Sequence, residues 1–214
     1  MDVGNSPAAV PANPPCVINC TWYGEDGTLR NLPLDSISDV LEASSRGFVW
    51  VGLYEPDDAV LDKVQAEFGL HDLAIEDTRK AHQRPKVETY GDSLFVVVHT
   101  AQVVEERIRY GETHAFLGPR YLVTVRHGAS LSYAPVRARL EREHDLVAQG
   151  PSFCLYAVLD AVVDNYLRRT VIRLYDLNRE LNKMRLAVTP LQDALAQLQR
   201  NPVQLLNDDA RLYL

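Results

Sequence analysis

Residues 73–98 read LAIEDTRKAHQRPKVETYGDSLFVVV. A helical segment carrying the adjacent carboxylates Glu76 and Asp77 runs into the polar, basic stretch His82-Gln83-Arg84-Pro85-Lys86. Pro85 disfavours helical backbone at Arg84, so the helix ends at this elbow and an extended segment begins. An alternating segment follows, and then the solid apolar strand SLFVVV. Arg84 and Lys86 are expected to hold the elbow through hydrogen bonds or ion pairs with nearby acids or carbonyls.

The same alternation of strand and helix signals extends in both directions. Upstream, CVINCTWY is a strand, and GEDGT turns into a second one around TLRNLP. LDSISDVLEASSR has helical spacing behind Asp35 or Ser36 as cap. FVWVGLY is a continuous apolar strand, and EPDDAVLDKVQAEFG a helix that Gly69 stops. Downstream, SLFVVVHTAQVV, IRYGETHAFLG and RYLVTVRHG are strands, with GPR as the tight turn between the last two. From Ser132 the periodicity is helical throughout, ending in a long stretch that begins at Arg168. The expected fold is an α/β/α sandwich with a mixed sheet, followed by long helices. Residues 1–15, rich in Pro, Ala and Asn, read as a disordered arm. Residues 16–130 form the sandwich and residues 131–214 a helical segment.

Bulk composition narrows the function classes. The 214 residues are 46% hydrophobic and 24% charged, enough for a real core. A net charge of −7 argues against nucleic acid, whose phosphates need a basic face. Cys16, Cys20 and Cys154 are too few for a disulfide framework. Residues four apart on a strand lie about 13 Å from one another, so Cys16 and Cys20 read as packed thiols. No window reaches the length of a membrane span, and the first 15 residues lack a signal-peptide core.

No chemistry of catalysis is signalled. There is no GxSxG, P-loop, GxGxxG or HExxH, so no enzyme activity and no organic cofactor are expected. His99 and His114 lie in apolar strands and read as structural, and His82 as part of the elbow. The carboxylates hold more interest. Asp160 and Asp164 are four apart on one helical face. Glu76 and Asp77 are neighbours and diverge on theirs. Hard oxygen ligands suit Mg²⁺ or Ca²⁺, yet spacing alone favours solvated acids on helix surfaces.

At the level of whole segments, GLHDLAIEDTRKAHQRPKVETYGDSLFVVVHTA resembles the signature of the CorA family of Mg²⁺/Co²⁺ transport proteins. The similarity extends through FVWVGLYEPDDAVLDKVQAEFGL, GPRYLVTVRHG, LYAVLDAVVDNYL and LNRELNKMRLAVTPLQDAL. It implies the cytoplasmic regulatory domain of a homopentamer at the inner face of the plasma membrane. In that family divalent cations bind between subunits, which here places Glu76, Asp77, Asp160 and Asp164 as candidate ligands. The implied regulatory ion is Mg²⁺, with Co²⁺ or Zn²⁺ as alternatives. The related ZntB zinc transporters share the domain, and a free-standing metal-sensing or interaction module is a third reading. Two departures stand out. The chain stops at ARLYL, before the family's stalk aspartate and membrane helices, so it is expected to be soluble and monomeric or weakly associated. After Leu167 the family's pair of acidic helices is missing, and Arg168 follows at once.

Overall fold

The computed structural model describes residues 13–105, 107–166, 178, 179, 181–183 and 185. The chain divides into two compact units, Met1–Tyr166 and Leu167–Leu214. In the second unit the described residues are all helical and exposed. Most of the expected long helix, and residues 1–12 of the expected arm, lie outside the described residues.

Seven strands form one sheet: β1 (Val17–Tyr23), β2 (Leu29–Asn31), β3 (Phe48–Tyr54), β4 (Lys86–Tyr90), β5 (Ser93–Val104), β6 (Arg107–Gly118) and β7 (Tyr121–Gly128). Their spatial order is β2-β1-β3-β7-β6-β5-β4. β3 and β7 pair in parallel, from Val49 opposite Tyr121 to Tyr54 opposite Arg126, and the remaining pairs are antiparallel. The mixed sheet follows from connectivity. Helices carry the chain across one face between β3 and β4, whereas short turns join β4 through β7.

The helices are α1 (Ile37–Ala43), α2 (Asp58–Phe68), α3 (Asp72–Lys80), α4 (Ala134–Arg142) and α5 (His144–Val147), then α6 over residues 151–166. One core holds Val49, Val51, Leu53, Phe95, Val97, Val123 and Val125 against α2 and α3. The other holds Phe48, Trp50, Val96 and Leu122 against Leu140, Cys154, Leu155 and Val158 of α4 and α6. Alternate residues of each central strand thus enter opposite cores. That is why β3 and the first half of β5 read as solid apolar runs: both faces are covered. The observed architecture is the expected α/β/α sandwich.

Local chemistry accounts for most boundaries. Asp57 caps α2 by accepting from the Val60 N–H at 2.9 Å, and Gly69 ends it at φ 63°, in the left-handed region. At α1 neither Asp35 nor Ser36 caps by side chain. Glu67 of α2 does so from a distance, accepting from the Ser38 N–H at 2.8 Å. Asn13, placed in the arm by composition, accepts from the Leu34 N–H and donates to the Leu32 carbonyl, both at 2.8 Å. Cys20 and Cys154 sit one in each core, where burial pushes both thiols up to about 12. No helix among the described residues is long and apolar enough to cross a membrane.

Candidate functional site

Helix α3 buries Ala74, Ile75 and Thr78 against the sheet. Helical spacing therefore turns Glu76 and Asp77 away from the core and apart from each other. Glu76, 54% exposed, pairs with Lys80 one turn on. Asp77 turns toward β4, where the Lys86 ammonium lies 2.6 Å from its carboxylate and 2.8 Å from that of Glu88. The Tyr90 hydroxyl donates to the same Glu88 oxygen at 2.9 Å. Burial works to lower the Lys86 pKa, but its bonds to Asp77 and Glu88 outweigh this and the net shift is upward. The Lys86 hydrogen bond in turn draws Glu88 below the usual carboxylate value. The two acids of α3 are thus held unequally: Glu76 by an exposed lysine, Asp77 by a half-buried one with a second partner.

The elbow after α3 has an unexpected support. Ala81 and His82 adopt φ 49° and 55°, a left-handed conformation costing about 1 kcal/mol or more at each non-glycine residue. Glu112 of β6, 5% exposed, accepts from the backbone N–H of His82 and, at 3.1 Å, from that of Gln83. A buried carboxylate therefore neutralises two backbone donors that the turn would otherwise orphan. His99 contacts the Gln83 carbonyl through Nε2 at 2.8 Å.

Beside Glu112 lies His114, fully buried. The Thr78 hydroxyl donates to the Ala74 carbonyl at 2.8 Å, so at 3.1 Å it accepts from His114 Nδ1. The remaining His114 nitrogen is 3.6 Å from Glu112 Oε1. Burial, against the attraction of Glu112, pushes the His114 pKa down to about 4. Next to it, His127 pairs with Glu55 at 3.1 Å, and Glu55 also accepts from the Gly128 N–H at 2.7 Å.

Arg84 departs from expectation. It is exposed and makes no hydrogen bond or ion pair among the described residues. The reason is the prior commitment of the nearby acids: Asp77 and Glu88 are taken by Lys86, and Glu112 by backbone N–H groups. Lys86 alone fulfils the role assigned to the pair. Arg84→Ala is accordingly expected to change the unfolding free energy by no more than about 0.5 kcal/mol in a denaturant titration.

Asp160 and Asp164 lie one turn apart on α6, the first half-buried and the second exposed. Helix α6 packs on the sheet face opposite α3. Within one chain the sheet therefore separates Asp160 and Asp164 from Glu76 and Asp77. Among the described residues no group of three or more His, Cys, Asp or Glu is placed to hold a metal ion. The polar residues that sequence reasoning passed over are Glu112, Glu55 and His127. Glu112 did carry a signal, a charged residue inside the strand pattern GETHAFLG.

Known proteins bear on these positions. A family profile described as CorA-like Mg²⁺ transporter protein matches residues 45–171. YfjQ of Bacillus subtilis, assigned to metal ion transport, is 30% identical over 161 residues, covering 75% of this chain and 48% of that protein. The cobalt/magnesium transport protein CorA of Thermotoga maritima is 25% identical over 187 residues, covering 76% of this chain and 53% of that protein. The chain thus spans about half the length of the curated relatives it matches. Among solved structures, the soluble domain of CorA from Methanocaldococcus jannaschii superposes with a TM-score of 0.59 at 19% identity, covering 91% of this chain and 84% of that one. That likeness is one of fold, and the profile match over residues 45–171 adds the lineage: the chain belongs to the family of CorA-like Mg²⁺ transporter proteins.

Proposed function

We propose that this chain is the cytoplasmic, cation-sensing domain of a homopentameric Mg²⁺/Co²⁺ transporter of the plasma membrane. In this reading it is regulatory, not catalytic. Mg²⁺ is the regulatory ion, and it binds between subunits at Glu76 and Asp77 of one copy and Asp160, assisted by Asp164, of the next. The supporting observation is the placement of the two carboxylate pairs on opposite faces of one sheet. A ring of copies gives such pairs the chance to meet.

The physical logic is electrostatic. Carboxylates brought together from two subunits repel one another unless a divalent cation lies between them. Mg²⁺ prefers oxygen donors and retains several of its waters, so a site of few carboxylates suits it. Loss of the ion then favours a looser ring, a shift in population driven by differential binding. Lys80 and Lys86 are the ion's local competitors. The exposed Glu76–Lys80 pair is cheap to separate, whereas Asp77–Lys86 is half-buried. Glu76 is therefore the carboxylate released first.

Flux through the full-length protein tests the proposal. Reconstituted in vesicles, it should take up Mg²⁺ and Co²⁺, with uptake suppressed when Mg²⁺ bathes the face carrying this domain. Zn²⁺ uptake without Mg²⁺ uptake would favour the ZntB-type reading. The absence of flux for all three ions would favour a free-standing sensing or interaction module.

A further inference from the structure

The basic elbow has a second consequence. A cleft of about 400 Å³ opens beside it, lined among others by His82, Gln83, Arg84, His99, Tyr110 and Glu112. Its size falls in the usual range for small-molecule sites. We propose that this cleft binds a nucleoside phosphate, with the phosphate on Arg84 and His82 and the base against the ring of Tyr110.

The acids around the cleft keep their charge but have their acceptor positions taken: Glu112 accepts from two backbone N–H groups, and Glu55 bonds Gly128 and His127. His99 contacts the Gln83 carbonyl, and the Gln83 amide donates to the Ala81 carbonyl at 3.2 Å. The groups left without a hydrogen-bond partner among the described residues are the Arg84 guanidinium, the His82 ring and the Tyr110 side chain. The Arg84 guanidinium has no partner among the described residues, although this chain carries 29 acids against 22 lysines and arginines. Pro85 restricts the Arg84 backbone to an extended conformation, so the guanidinium is presented from a fixed stem. Its planar fork matches phosphate oxygens in pairs. His82, exposed on the same rim, adds a second nitrogen donor. Tyr110 is 70% exposed where it lines the cleft. An aromatic ring left open to water in the same cleft as an unpaired guanidinium suits a ligand with a flat face and an anionic end. The whole chain is acidic, so long-range attraction does not collect anions here and affinity must come from local fit.

Titration calorimetry of the chain with ADP and with inorganic pyrophosphate, in EDTA, tests this. Excluding divalent cations keeps the measurement independent of the carboxylate sites proposed for Mg²⁺. Both probes should bind, ADP more tightly. Arg84→Gln should weaken both by about tenfold, the scale of one lost charge-assisted contact. Tyr110→Ala should weaken ADP by about tenfold, from lost stacking, and leave pyrophosphate within about twofold. Both side chains are exposed, so the variants should melt at the wild-type temperature. The proposal is overturned by no heat from ADP, by equal binding of ADP and pyrophosphate, or by Arg84→Gln binding ADP as the wild type does.

Discussion

Glu112→Ala should lower the unfolding free energy by about 3 kcal/mol, a large effect for a residue outside either apolar core. Its carboxylate accepts from the N–H groups of His82 and Gln83 in a part-buried setting, and a hydrogen bond to a charged group contributes about 1.5–3 kcal/mol. The turn so lost is also a conformationally expensive one, with Ala81 and His82 both at positive φ. Without the acceptor nothing offsets that strain, so the elbow relaxes and the C-terminal end of α3 frays. Glu112→Gln separates the parts. One amide oxygen still accepts, but the amide nitrogen now confronts a backbone N–H, so the cost should be about half. Chemical denaturation of both variants measures the difference. A loss below about 0.5 kcal/mol for Glu112→Ala, the range of ordinary surface substitutions, would mean that the elbow holds itself.

The elbow also marks where sequence reasoning stops. Periodicity reports burial, so the strand β5 was legible from SLFVVV and helix α2 from its spacing, with Gly69 as stop. Composition reports turn chemistry when the chemistry is local, as with Pro85. It does not report a contact from thirty positions away. Glu112 meeting His82, and Glu67 capping α1 in place of Asp35 or Ser36, are consequences of packing that no short window contains. Arg84 shows the converse. A basic side chain among acids reads as a paired one, yet the acids were claimed by other donors.

The candidate cation ligands divide in the same way. That Glu76 and Asp77 diverge follows from adjacency on a helix, and Lys80 as partner of Glu76 from four-residue spacing. Lys86 as partner of Asp77 requires β4 to lie beside α3, which only the fold reveals. Likewise, the four-residue spacing of Asp160 and Asp164 was visible, but the sheet between them and α3 was not. Family resemblance supplied the link between the two pairs, and it did so by implying a second subunit.

That link carries the other large effect. In the full-length protein, Mg²⁺ should slow proteolysis of the wild type and leave the Glu76→Ala/Asp77→Ala variant unprotected. At tenfold above its dissociation constant, an ion that binds only the closed ring stabilises it by about 1.4 kcal/mol per site. In the proposed ring several such sites would act together, so protection is expected to be pronounced. The double substitution should be mild for the fold itself. Glu76 gives up an exposed ion pair, worth little, and Lys86 keeps Glu88 as partner when Asp77 is lost. Lys86→Met gives the opposite test, since it removes the ammonium that competes for Asp77. It should shift protection to lower Mg²⁺ concentration, because the carboxylate no longer has to be released. Equal protection of the double variant and the wild type would return Glu76 and Asp77 to the role of surface acids balanced by Lys80 and Lys86.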